Sequence, residues 1–156
     1  PMVLSTKLFG WNKRDDVRLD LVMMLAAVLF GGMYINVGVQ HFTNTAWFEP
    51  IVPVVLGDPT LWVLITGVME IAIGVGLILP WTRRYAALGS LVFLVGIYSA
   101  NLNMWVNNIP LDGKTYANHW HVLRLVAQLG MIGLSYAIWR WSIPDIPQAT
   151  EEHVQA

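Results

Sequence analysis

Few side chains capable of chemistry stand inside the apolar stretches of this sequence, and their types are specific. Glu70 and His41 are the two that can take up and release protons near neutral pH, the carboxyl group because hydrocarbon penalises its charge and the imidazole by its nature. Asn36, Gln40, Asn101, Arg124 and Gln128 offer N–H groups that could hold the carbonyl oxygens of a ligand. The chain has no cysteine, which removes disulfides, thiolate nucleophiles and thiolate metal sites. His119 and His121 bracket Trp120, but two residues apart on a helix they point to different faces, so they read as interfacial residues and no metal site is expected. Haem is not expected either, because a haem held between helices would want two facing histidines. No phosphate loop, nucleophile elbow or zinc-protease motif occurs.

The elements that must position these groups follow from composition. Of 156 residues 56% are hydrophobic and only 12% charged, about half the usual charge of a soluble domain, so the solvent is mainly lipid. With a formal charge of −1 and no long basic run, nothing points to nucleic acid. Crossing the hydrocarbon core takes roughly 20 apolar residues. Four stretches suffice: about Leu19 to Gln40, Leu61 to Leu79, Ala86 to Met104 and Val122 to Trp139. The first meets Asn36, Gln40 and His41 with no small-residue cleavage site, so it reads as a span and not a signal peptide. The separators are Asn44 to Thr60 with its prolines, the tight Pro80 to Arg84 turn, and Trp105 to His121. The expected fold is therefore all-α, a single integral membrane domain of four transmembrane helices over 1–156. A short interfacial segment at Lys7 to Asp20 and a flexible acidic tail at 145–156 flank it.

Tryptophan placement supports these boundaries, since indoles prefer the headgroup level. Trp11, Trp81, Trp139 and Trp141 fall toward one interface, and Trp47, Trp62, Trp105 and Trp120 toward the other. Lys7, Lys13, Arg14, Arg18, Arg83, Arg84 and Arg140 lie on the first side against Lys114 on the second, which puts both termini in the cytoplasm. The expected location is a bacterial or archaeal cytoplasmic membrane.

At about 1.5 Å per residue, Asn101 and Arg124 lie within roughly 6 Å of the outer boundary, Asn36 and Gln128 roughly 6 to 10 Å in, and Glu70 roughly 13 Å in. The inner half of every span is apolar apart from small residues and isolated hydroxyls, which argues against a continuous transport path. A carboxylate at that depth either meets a cation or keeps its proton. Arg124 is the basic residue inside a span and Gln128 lies one turn along its face, so the expected cluster is Glu70, Arg124 and Gln128, acting either as a site or as a clip between helices. The glycines Gly67, Gly74 and Gly76 read as packing residues, with room for a flat ligand beside Glu70 as the other use.

Gly38-Val39-Gln40-His41-Phe42, Gly67 to Gly74 around Glu70, Arg83-Arg84-Tyr85-Ala86-Ala87, Ala100 to Met104 and Arg124 to Gln128 occur in an order and spacing that resembles the DoxX-type membrane proteins, over roughly residues 35 to 140. The resemblance implies a compact four-span protein associated with quinone-linked redox systems, with His41, Glu70, Asn101, Arg124 and Gln128 as its polar set. Quinone or quinol is the cofactor so implied, with His41 and Glu70 passing protons and the amides and Arg124 holding the ring. No covalent cofactor motif is present, so electrons would come through other membrane-protein subunits or a bound cofactor that no motif encodes, and the chain would not be catalytic alone. The other reading, a non-catalytic accessory or assembly subunit of a larger complex, needs the polar cluster only to shape the bundle.

Overall fold

The computed structural model describes residues 17–143, and within them the chain is helical. Lys7, Trp11, Lys13 and Arg14 of the N-terminal segment, and the tail from Asp145, lie outside the described residues. Four helices are long and apolar enough to cross a membrane: α1 (Val17–Thr43), α3 (Pro59–Ile78), α4 (Arg83–Val106) and α5 (Asn118–Trp141). A short α2 (Thr45–Phe48) and two 3-10 turns, Glu49–Ile51 and Val54–Leu56, occupy the segment expected as loop between the first two spans. Helices α1, α4 and α5 extend beyond both ends of the apolar stretches that mark them, by residues such as His41, Arg83 and Asn118 whose polar atoms find partners at the bundle ends, while α3 begins two residues early and stops one residue short, at Ile78.

Helix limits have local causes. Pro59 sits in the first turn of α3, where a missing N–H costs nothing, and the Asp58 carboxylate accepts from the Thr60 N–H at 3.0 Å. Pro80 forces Leu79 into extended backbone (ψ 123°) and ends the helix. Arg83 then turns back: its Nε and Nη2 donate to the carbonyls of Leu77 (2.8 Å) and Ile78 (2.9 Å), which α3 leaves open at its C-terminus. Between α4 and α5, Leu111 and Lys114 exchange two backbone hydrogen bonds of 3.0 Å around Asp112 (φ 50°) and Gly113 (φ 71°), a two-residue turn of the type Asp-Gly favours. It places the Leu111 side chain in a buried position.

Burial recurs at alternating steps of three and four residues. In α1 the buried positions include Ala27, Gly31, Tyr34, Gly38 and His41, and in α3 Val63, Gly67, Glu70, Gly74 and Leu77. In α5 His121, Gln128 and Ser135 recur at intervals of seven. This 3.5-residue period is the signature of helices that wrap with a left-handed crossing, as in most membrane bundles.

The α1–α3 pair is the most extensive and antiparallel, and its glycines explain why. A Cβ on Gly31 would lie 2.6 Å from the Gly74 carbonyl oxygen and one on Gly74 2.5 Å from that of Gly31, while Gly38 and Gly67 oppose each other one heptad away. Only glycine lets the two backbones touch at these points. Helix α4 pairs with α5 and, less extensively, with α3, while α1 and α5 meet over a small area. The bundle therefore has two ends, one bearing His41, the α2 segment and the Leu111 turn, the other bearing Arg83 and Trp141.

Candidate functional site: a buried histidine and carboxyl pair

The α1–α3 contact delivers His41 and Glu70 to each other. Both occupy seam positions of their helices, and both are buried, at 5% and 7% exposure. His41 Nε2 lies 3.7 Å from Glu70 Oε2. The other ring nitrogen is fixed: Nδ1 lies 3.0 Å from the Val63 carbonyl oxygen, which can only accept, so Nδ1 carries the hydrogen. Thr66 Oγ1, 3.2 Å from the same nitrogen, sends its own hydrogen to the Trp62 or Val63 carbonyl and can only share the one on Nδ1. In neutral His41 the lone pair of Nε2 therefore faces the carboxyl group. Phe48 of α2 packs edge-on against the imidazole at 4.0 Å between ring centres, and the Thr45 hydroxyl donates to the His41 carbonyl at 2.7 Å.

At 3.7 Å the pair stands beyond ordinary hydrogen-bond distance, and Glu70 Oε2 is a buried oxygen with no hydrogen-bond partner. One proton beyond that on Nδ1 makes the pair neutral overall, whether it sits on nitrogen or on oxygen, which is the charge state a low-dielectric bundle favours. The arrangement can hold a proton and hand it across a short gap.

The expected cluster of Glu70, Arg124 and Gln128 does not form. Gln128 is buried, and its Nε2 donates to the Leu94 carbonyl at 2.6 Å, joining α5 to α4. Arg124 sends Nη1 to Met104 Sδ at 2.9 Å and lies 4.9 Å above the Tyr116 ring. The reason is helix pairing: α5 packs on α4, whereas the Glu70 face of α3 packs on α1. Asn101 is half-buried near the same end of α4, and Asn103 donates to the Ile51 carbonyl at 3.0 Å. Asn36 and Gln40 are exposed, on the side of α1 turned away from the bundle. Gly67 and Gly74, on either side of Glu70, leave no slot for a flat ligand, since His41 and Ile35 come within 2.7 Å of where their Cβ atoms would lie. A groove of about 400 Å³ opens instead between α3 and α4, lined by Ala72, Gly76, Tyr85, Ala86 and Gly89.

Two features escaped sequence reading. The hydroxyls expected to be isolated are linked: Tyr34 Oη, Ser90 Oγ and Ser135 Oγ lie 2.8 Å apart in succession, and Ser135 donates to the Met131 carbonyl at 2.9 Å. That last bond sets the direction of the rest, so Ser90 donates to Ser135 and Tyr34 to Ser90, joining α1, α4 and α5 through the core. The second is the burial of Arg83, stacked 5.4 Å from the Trp141 ring. Their signal was available in the three-and-four spacing of Tyr34 with Gly38 and His41, and of Arg83 with Ala87 and Ser90.

Among the described residues no group of three or more His, Cys, Asp or Glu side chains could hold a metal ion. No curated protein and no solved structure matches the chain. A family model does match, from Phe30 to Trp141, taking in the His41–Glu70 pair and all but the first half of the bundle's first helix. The chain belongs to the family described as a domain of unknown function, DUF8561.

Proposed function

We propose that this chain is a DoxX-like integral membrane subunit serving quinone- or quinol-linked redox chemistry, and that His41 and Glu70 are the groups that handle its protons. The observation carrying this reading is the pair itself: a tautomer fixed at Nδ1, a bare Nε2, and an unsatisfied carboxyl oxygen 3.7 Å away in a membrane-spanning bundle. A quinone exchanges two electrons and two protons at its ring oxygens. Nε2 and Oε2 have unused hydrogen-bonding capacity and one proton to share, so the pair can pass protons to and from such an oxygen, which requires the closed α1–α3 seam to open beside it. His41 lies near the end of α1, within reach of the aqueous side once Phe48 shifts. Electrons would be delivered by another membrane subunit. In this reading the termini are cytoplasmic, as the seven-to-one distribution of Lys and Arg favours, and the membrane is the cytoplasmic membrane of a bacterium or archaeon.

The test is binding of decylubiquinone and its reduced form to the purified chain in mild detergent, followed by tryptophan fluorescence. Glu70→Gln and His41→Gln are each expected to weaken binding by roughly tenfold or more, with the double variant no worse than either single one, because the two groups act as one unit. Unchanged affinity in both variants, or no saturable binding to the wild type, refutes the reading.

A second reading, a non-catalytic accessory or assembly subunit, is favoured by Arg124 and Gln128, whose polar heads are engaged inside the bundle on Met104 and Leu94. It predicts that Glu70→Gln leaves quinone affinity alone and reduces recovery of co-purifying membrane proteins.

A further inference from the structure

Helix α1 carries a second seam. Leu25, Leu29, Gly32, Asn36, Val39 and Thr43 follow the same alternating steps of four and three as its buried face, yet all are exposed. Asn36 lies two residues on from buried Tyr34, hence about 200° around the helix, so it points directly away from the other helices. It sits seven residues before the end of α1, about 10 Å along the axis, within the depth of the hydrocarbon. Gln40 adds a second outward amide one turn nearer that end. Lipid tails offer such groups no hydrogen bond, and an amide left facing them is costly.

We infer that this face is the contact of a parallel homodimer, in which Asn36 pairs with Asn36 of a second copy across a two-fold axis along the membrane normal. The partner is identified by three features. Copies inserted with one topology present the same residues at the same depth, so a two-fold axis brings each Asn36 opposite its equivalent. An amide is both donor and acceptor, so two identical ones satisfy each other reciprocally, whereas a purely apolar helix would leave both unpaired. A single Asn at a position facing a partner helix is a device by which polar residues fix register and number of chains in coiled coils, and Gly32, with open space around its would-be Cβ, lets the second backbone come close. The contact uses the face of α1 opposite the His41–Glu70 pair and stands whether or not that pair binds quinone.

The natural chain has no cysteine, so single cysteines report proximity cleanly. In liposomes containing the full chain, Leu29→Cys, Gly32→Cys and Val39→Cys are expected to give disulfide-linked dimers under copper phenanthroline. Val92→Cys and Val95→Cys on α4, and Val126→Cys on α5, which are equally exposed to lipid, are expected not to. Adding Asn36→Leu to Leu29→Cys should cut the cross-linked fraction, with association weakened by about tenfold. Gly32→Leu should do the same while leaving helix content unchanged by circular dichroism, because nothing in the monomer lies within 4 Å of its added Cβ. Equal cross-linking at the α4 and α5 positions, cross-linking undiminished by Asn36→Leu, or no cross-linking at any α1 position, as when lipid alone or a different protein covers the face, overturns the proposal.

Discussion

Ser90 sits in the middle of the Tyr34–Ser90–Ser135 chain, so its loss breaks two hydrogen bonds between helices where loss of either neighbour's hydroxyl breaks one. We expect Ser90→Ala to cost on the order of 1–2 kcal/mol of bundle stability and Tyr34→Phe about half of that, within the range known for hydrogen bonds between membrane helices. Steric-trap or denaturant unfolding in detergent measures both, and a Tyr34→Phe loss exceeding that of Ser90→Ala contradicts the directed chain. At this scale the sequence was informative about which residues matter and uninformative about whom they meet. Glu70 and His41 stood out because ionisable groups inside apolar runs are rare. Their pairing is hidden because residue spacing gives depth along a helix more directly than azimuth: the first apolar stretch stops at Gln40, one residue before His41, although His41 continues the seam of Tyr34 and Gly38. Arg124 looked like the natural counter-ion by charge alone, and the choice of α4 as the partner of α5 lies in packing that no single residue announces.

Four apolar stretches near twenty residues are long enough to be unmistakable, and the structure reproduces each of them as a helix. Less visible were the short elements. The Asp112-Gly113 pair was a readable turn signal inside an aromatic-rich loop, and α2 is a single turn of four residues with no periodicity to detect. For the long helices the glycine pairs give a sharp contrast between neighbours. Gly31→Leu must push α1 off the Gly74 carbonyl and is expected to destabilise the bundle by roughly 2–3 kcal/mol or prevent its assembly. Gly32→Leu, one residue on and facing open space, is expected to leave unfolding of the monomer within about 0.5 kcal/mol of wild type. Thermal unfolding of the two variants, monitored side by side, tests whether α1 and α3 touch through their backbones as described.

For the molecule as a whole, the orientation that the Lys and Arg asymmetry favours has a direct check. Lys114→Cys, in the turn at the His41 end, should react with a membrane-impermeant maleimide in intact cells, and Arg84→Cys, in the first turn of α4 at the opposite end, only after the membrane is opened. The reverse pattern would invert the topology while leaving the bundle intact. The two-pair organisation also bears on how the chain matures. Its most extensive interfaces join helices that follow one another among the long elements, α1 with α3 and α4 with α5, and the ties that span most of the sequence are few, chiefly the serine–tyrosine chain and the 2.8 Å bond from the Trp141 indole to Asp20. Nascent hairpins can thus zip as each pair leaves the insertion machinery, with low loop-closure entropy, and lateral closure of one hairpin on the other comes last. A ribosome that stalls after the second long helix would already hold a paired unit with its histidine seated beside the glutamate.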